Sequence, residues 1–237
     1  MDGTRDKQRQ NTALARKFRA FIKRSAYPCL GAKAALNAEA FELHCYPELG
    51  ESTTSAFLAS DLYQFIAAPL WQRSDFATFI ALFHQPVGIT ELEFEHCLWR
   101  TLQQLNRIDA TEFEWDPTVH PNPGNASFAF SFAGHAFYVI GMHGNSSRRA
   151  RRFPVPTLIF NAHEQFRKLR ARGKWEPMKA SIRKRDTALQ GKPNPMLQDF
   201  GERSEARQYS GRKVEEDWNP LFRAAQTEGR RRCPFAH

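Results

Sequence analysis

Between residues 127 and 135 the chain alternates so regularly that it suits only one local structure. Phe128, Phe130 and Phe132 fall on one face and Ala129, Ser131 and Ala133 on the other, the period of two that a strand demands. Ala133-Gly134 then reads as a hairpin turn, and residues 135–142 as the returning strand. A hairpin commits the sheet to at least one antiparallel pair. Elsewhere strand and helix patterns take turns. Leu14, Phe18, Phe21 and Ile22 mark an amphipathic helix over 12–24, and Phe41, Leu43 and Cys45 a half-buried strand over 40–46. Residues 54–68 read as a helix stopping before Pro69, and 76–84 as a buried strand. Thr90 with Glu93 forms a capping box for the next helix. A short strand at 156–160 leads into a helix with Asn161 as N-cap. This pattern predicts the α/β class: a mixed β-sheet flanked by helices, in one domain spanning 1–237. The Pro- and Gly-punctuated stretch 190–237 is expected to wrap the surface as ordered coil.

A chain of 237 residues with 20 Phe and 5 Trp has ample material for a packed core. Its apolar runs, such as 77–83, fall far short of a membrane span, and the N-terminus leads into no apolar signal region. Cys29, Cys45, Cys97 and Cys233 show no CxxC spacing, so free thiols and a cytoplasmic location are expected. The net charge of +9 is concentrated: residues 148–185 hold 13 Lys/Arg against two Glu. Such a stretch attracts anions, an acidic protein partner among them. With no nucleic-acid motif present, solvated helix faces are the better reading, and neither nucleic acid nor membrane is expected as a partner.

Four places carry chemistry. Tyr27-Pro28-Cys29-Leu30-Gly31-Ala32 runs into a helix, whose N-terminal N–H groups and dipole would stabilise a Cys29 thiolate. The same local pattern occurs at the iron ligand of thiolate-haem monooxygenases; the plain alternative is a small buried thiol. Gly141-Met142-His143-Gly144-Asn145-Ser146-Ser147-Arg148, continuing to Arg151, Arg152 and Phe153, gathers hydroxyls and guanidinium forks suited to carboxylates, or is an exposed basic loop. His163 falls in a first helical turn, where the dipole favours the neutral, metal-binding imidazole. The last is the C-terminal third, residues 181–186, 190–197 and 204–212, able to line a polar pocket or to form a hydrogen-bonded crust. No zinc spacing, GxGxxG or Walker loop is present.

Taken together, Tyr27-Pro28-Cys29-x-Gly31-Ala32, Trp115-Asp116-Pro117, the His143 loop through Phe153, Phe160-Asn161-x-His163, Asn194-Pro195-Met196, residues 204–212 and the closing Cys233-Pro234-Phe235 resemble the YqcI/YcgG family. Gly144 stands where relatives are expected to carry Pro, and 219–232 is an insertion that bears on where Cys233 lies. The resemblance implies a haem b (iron protoporphyrin IX) monooxygenase that N-hydroxylates arginine or an arginine-like guanidine in natural-product biosynthesis, using O2 and electrons from a separate redox partner or diffusible reductant. The different class to weigh against it is a haem-binding sensor or carrier without turnover. The resemblance further implies Cys29 as iron ligand, with His163 and then His143 as runners-up. Ser146, Ser147, Arg148, Arg151 and Arg152 would hold the propionates, with Asp116 and Glu205 as carboxylate partners for the guanidinium. The small face at Ala129, Ser131 and Ala133 is expected to leave room for the macrocycle.

Overall fold

The computed structural model describes residues 2–225. Its strands are β1 (Phe41–Glu48), β2 (Thr78–Gln85), β3 (Phe130–Phe132), β4 (His135–Met142) and β5 (Thr157–Ala162). They form one open sheet in the order β1-β2-β5-β4-β3. Only β1 and β2 run parallel; every other neighbouring pair is antiparallel. The mixed α/β sheet therefore follows the pattern in the sequence. The helices are α1 (Asp2–Lys23), α2 (Leu30–Asn37), α3 (Ser52–Ala67), α4 (Pro69–Arg73), α5 (Glu91–Asp109), α6 (His163–Ala171), α7 (Trp175–Gln190) and α8 (Ala206–Tyr209). Among the described residues no helix is long and apolar enough to cross a membrane.

Strand alternation sends neighbouring residues into two different cores. Phe79 and Phe83 of β2, Phe137 and Val139 of β4, and Leu158 and Phe160 of β5 pack with α3 and α5 in the larger core. Ile80, Leu82, Met142 and Ile159 face the other way, toward Leu14, Phe18, Phe21 and Ile22 of α1. The capping box fixes the start of α5: Thr90 Oγ1 accepts the Glu93 N–H at 3.2 Å, and Glu93 returns a carboxylate oxygen to the Thr90 N–H at 2.8 Å. This helix lies so close to β4 that a Cβ at Gly141 would stand 2.6 Å from the Phe94 ring.

The turn between β3 and β4 is tied from below. Asp109 Oδ1 accepts the Ala133 N–H at 2.8 Å and the Tyr63 hydroxyl at 2.9 Å, holding Ala133 at a φ of 52°. Burial raises the Asp109 carboxyl to about 7. The folded state thus keeps a proton that the unfolded chain releases near pH 4. The group's contribution to stability is full below that pH and is lost as pH rises to about 7. Asp109→Asn keeps the acceptor and removes the ionisation. Urea unfolding is expected to show the variant gaining on the wild type between about pH 4 and 7, by up to ~4 kcal/mol. A constant difference across that range would exclude Asp109 as the source.

Three expectations are corrected. The chain after Gln190 does not simply wrap the outside: residues 204–210 are buried, and Tyr209 is fully enclosed in the larger core. Asn161 is not a helix cap but the penultimate residue of β5, with Thr78 donating to its Oδ1 at 3.1 Å; Ala162 caps α6 through its backbone alone. The small face at Ala129, Ser131 and Ala133 is buried, and none of the three lines the cavity described below. The segment around Asp116 covers it, with the Asp116 N–H bonded to Ser131 Oγ at 2.9 Å.

Candidate functional site

Two cross-strand rows on the α1 side of the sheet make a floor. Ile80, Ile159 and Ile140 are register partners across β2, β5 and β4. Two residues along each strand, Thr78, Asn161 and Tyr138 form the second row, extended by Phe41 of β1. Over this floor lies a cavity of about 300 Å³, walled by α1 and α2 on one side and by α6, α7 and the segment 194–200 on the other. An apolar floor with a few convergent polar groups has the character of a small-molecule site.

Cys29 enters this cavity as the N-cap of α2, its Sγ accepting the Ala32 N–H at 3.4 Å. Burial pushes its thiol pKa up, while the Ala32 and Gly31 N–H groups and the Arg151 charge pull it down. Arg148 and Arg151 also line the cavity. Arg148 is ion-paired with Asp186 through Nη2, and its buried Nη1 has no partner among the described residues. Arg151 Nη1 donates to the carbonyls of Tyr209 at 2.8 Å and Gly141 at 3.3 Å. Gly211, at a φ of 84°, makes this path possible, since a Cβ there would stand 2.6 Å from Arg151 Cδ.

His163 and Glu205, 42 residues apart, meet at the cavity wall. The His163 Nε2 lies 3.1 and 3.0 Å from the two Glu205 oxygens, and the Tyr209 hydroxyl donates to Oε1 at 2.6 Å. Tyr209 in turn accepts the Phe130 N–H at 3.0 Å, which anchors the chain His163–Glu205–Tyr209 in the sheet. Burial raises the Glu205 pKa, and His163 opposes that shift most strongly. A carboxylate on one ring nitrogen fixes the imidazole's tautomer and orientation.

The remaining candidates stand elsewhere. Asp116 accepts the Thr118 N–H and hydroxyl on one oxygen and the Ala136 N–H on the other, at 2.6–2.8 Å, so it serves the edge of the sheet and not the cavity. His143 is caught beneath α5, stacked 4.5 Å from the Phe94 ring, and burial lowers its pKa. Ser147 binds Glu91 through its N–H and hydroxyl, at 2.9 and 2.8 Å. Ser146 and Arg152 bind within their own loop: Ser146 Oγ accepts the Arg148 N–H at 3.3 Å, and Arg152 Nε donates to the Ser146 carbonyl at 2.9 Å. The loop thus folds on itself and presents only Arg148, Ala150 and Arg151 to the cavity. Cys233 lies outside the described residues. Tyr138, Asn161 and Gln208 join the site without having been singled out for it. Tyr138 donates its hydroxyl to Gln208 at 2.9 Å. The alternation of 138 with 140 and of 159 with 161 was the signal for the first two.

The fold and site define an α/β protein with a cavity walled by a helix-capping thiol, a carboxylate-bound imidazole and four guanidinium groups. The chain belongs to the YqcI/YcgG family, whose model matches residues 18–223. It is similar to two uncharacterized proteins of Bacillus subtilis (strain 168). YcgG is 23% identical over 218 residues, covering 89% of this chain and 81% of that protein. YqcI is 23% identical over 220 residues, covering 90% and 82%. No solved structure matches the chain.

Proposed function

We propose that the cavity receives haem b and that the chain N-hydroxylates a guanidino group of L-arginine or an arginine-like compound. In that reaction one atom of O2 enters an N–H bond and the other leaves as water, with two electrons and two protons supplied from outside the chain. The observation carrying this reading is the convergence of Cys29, Arg148 and Arg151 on one apolar-floored cavity. The residues fit the group. A sulfur donor receives helix N–H groups, and the buried Arg148 Nη1 is a donor without an acceptor on a guanidinium whose other nitrogen is paired with Asp186. Bound there, haem would supply the iron chemistry that activates O2.

Cys29 would hold the iron, since a coordinating metal deprotonates a thiol outright; the Ala32 and Gly31 N–H groups and Arg151 offset part of the burial that raises its pKa. Arg148 and Arg151 would take the propionates as charge-assisted pairs. Of the two carboxylates considered for the cationic substrate, only Glu205 lines the cavity. Bound to His163 and Tyr209, it is fixed in direction and offers negative charge to a guanidinium. The Ile80–Ile159–Ile140 row and Phe41 keep water from the flat floor.

An absorption spectrum of the purified protein, reduced with dithionite and exposed to CO, tests this reading. A ferrous–CO band of the thiolate type is expected. A histidine-type band would move the ligand to His163, and two protein ligands that exclude CO would favour a haem sensor or carrier. No haem, even after reconstitution, would overturn the proposal.

A further inference from the structure

The opening of the cavity carries charge that the chemistry above leaves unused. Arg170, in the last turn of α6, lines the cavity while remaining exposed to solvent. Its guanidinium lies 5.3 Å from the centre of the Trp175 ring and forms no ion pair among the described residues. A stacked guanidinium is already oriented, so little side-chain freedom is lost when it binds. Asp199, from the segment after α7, lines the same cavity. Lys179 holds it at 2.8 Å and Arg183 at 3.2 Å. The Lys179 hydrogen bond, with help from the charges of Arg183 and Arg170, keeps the Asp199 carboxyl below the usual carboxylate range. Arg170, Asp199 and Glu205 thus line one cavity, Arg170 exposed, Asp199 half-buried and Glu205 buried. An unpaired fork donor and an ionised carboxylate share one rim.

That pairing of charges complements a zwitterion. We infer that Arg170 and Asp199 form a specificity subsite for the α-amino-acid head of the substrate. Arg170 takes the α-carboxylate as a two-point pair, and Asp199 accepts the α-ammonium in place of part of its bonding to Lys179 and Arg183. The inference rests on the guanidino reading, in which the other end of the same molecule points inward toward Glu205 and His163. Trp175 and Phe200, whose ring stands 5.0 Å from that of His163, close the sides of the path between the two ends.

Calorimetric titration separates the two ends without relying on turnover. The probes are L-arginine, agmatine, which lacks the carboxylate, and 5-guanidinopentanoate, which lacks the ammonium. Arg170→Ala is expected to weaken L-arginine and 5-guanidinopentanoate by ~10-fold or more and leave agmatine unchanged. Asp199→Ala is expected to weaken L-arginine and agmatine while sparing 5-guanidinopentanoate. Both side chains are at the surface, and Arg170→Lys, which keeps the charge but loses the fork, should fall between wild type and alanine. Equal losses for all three probes, or none, would overturn the subsite while leaving the guanidino reading intact. Failure of the wild type to bind any of the three would overturn both.

Discussion

If the cavity holds haem as proposed, Cys29→Ser is expected to erase the thiolate-type ferrous–CO band and to lower N-hydroxylation roughly 10²-fold or more, because an alcohol cannot replace a thiolate in pushing electron density toward iron. The substitution suits the question because the fold should scarcely register it. Cys29 is half-buried and caps α2 by accepting the Ala32 N–H, and serine is among the preferred N-cap residues. A thermal midpoint close to wild type, together with loss of the band, would assign the ligand. If instead the spectrum survives Cys29→Ser and disappears in His163→Ala, the imidazole is the ligand. Cys29 would then be a helix cap alone.

The second large effect concerns stability. Glu95→Ala is expected to cost about 3–5 kcal/mol, the range for removing one partner of a buried ion pair. Glu95 is 4% exposed on α5. Its Oε1 accepts Arg212 Nη2 at 3.0 Å and Trp218 Nε1 at 2.9 Å, while Oε2 accepts the Ser210 hydroxyl at 2.7 Å and Arg212 Nε at 3.3 Å. Alanine leaves all four donors without their acceptor, and Arg212 retains only the exposed Glu215 as an ionic partner. The loss should not spread evenly, since Glu95 fastens the chain just beyond Glu205 and Tyr209. Hydrogen exchange should rise first over 204–218, and guanidino ligands should bind more weakly even where the rest of the domain remains folded. Glu95→Gln, which preserves shape and part of the acceptor set, should lose less. A loss below ~1 kcal/mol for alanine would mean that the C-terminal segment is held by its aromatic contacts instead.

Much of the fold could be read from local pattern. The alternation at Phe128, Phe130 and Phe132 announced the hairpin, and Thr90 with Glu93 marked the start of α5, because these signals lie within a few residues of the structure they specify. The segment 204–210 stayed open between a pocket lining and a surface crust because its burial comes from distant partners: Glu95, Phe130 and His163. A polar run rich in Arg, Glu and Gln looks like a surface until those partners are known. The site divided along the same line. The Cys29 cap and the meeting of Arg148 and Arg151 at the cavity follow from short spacings. His163 and Glu205 were both named, but their contact was hidden by 42 residues of intervening chain. Asp116 looked like a free carboxylate, yet its neighbours Thr118 and Ala136 consume its oxygens. Tyr138 went unnamed and Asn161 was read as a helix cap, not as cavity floor, because a strand with two buried faces does not reveal from sequence which face meets the void.

Those two faces also bear on how such a protein can change. On β2, β5 and β4 the cavity floor uses residues 78, 80, 138, 140, 159 and 161, while the larger core takes 79, 81, 137, 139, 158 and 160. Tyr138 also packs against the larger core, edge-on to Tyr209, but the other floor side chains lie on the opposite side of the sheet from the core residues beside them. Substitutions that reshape the pocket therefore need not disturb the larger core, and the two sets of residues are free to diverge at different rates. In a lineage whose members came to accept different ligands, odd and even positions along these three strands should keep separate evolutionary clocks.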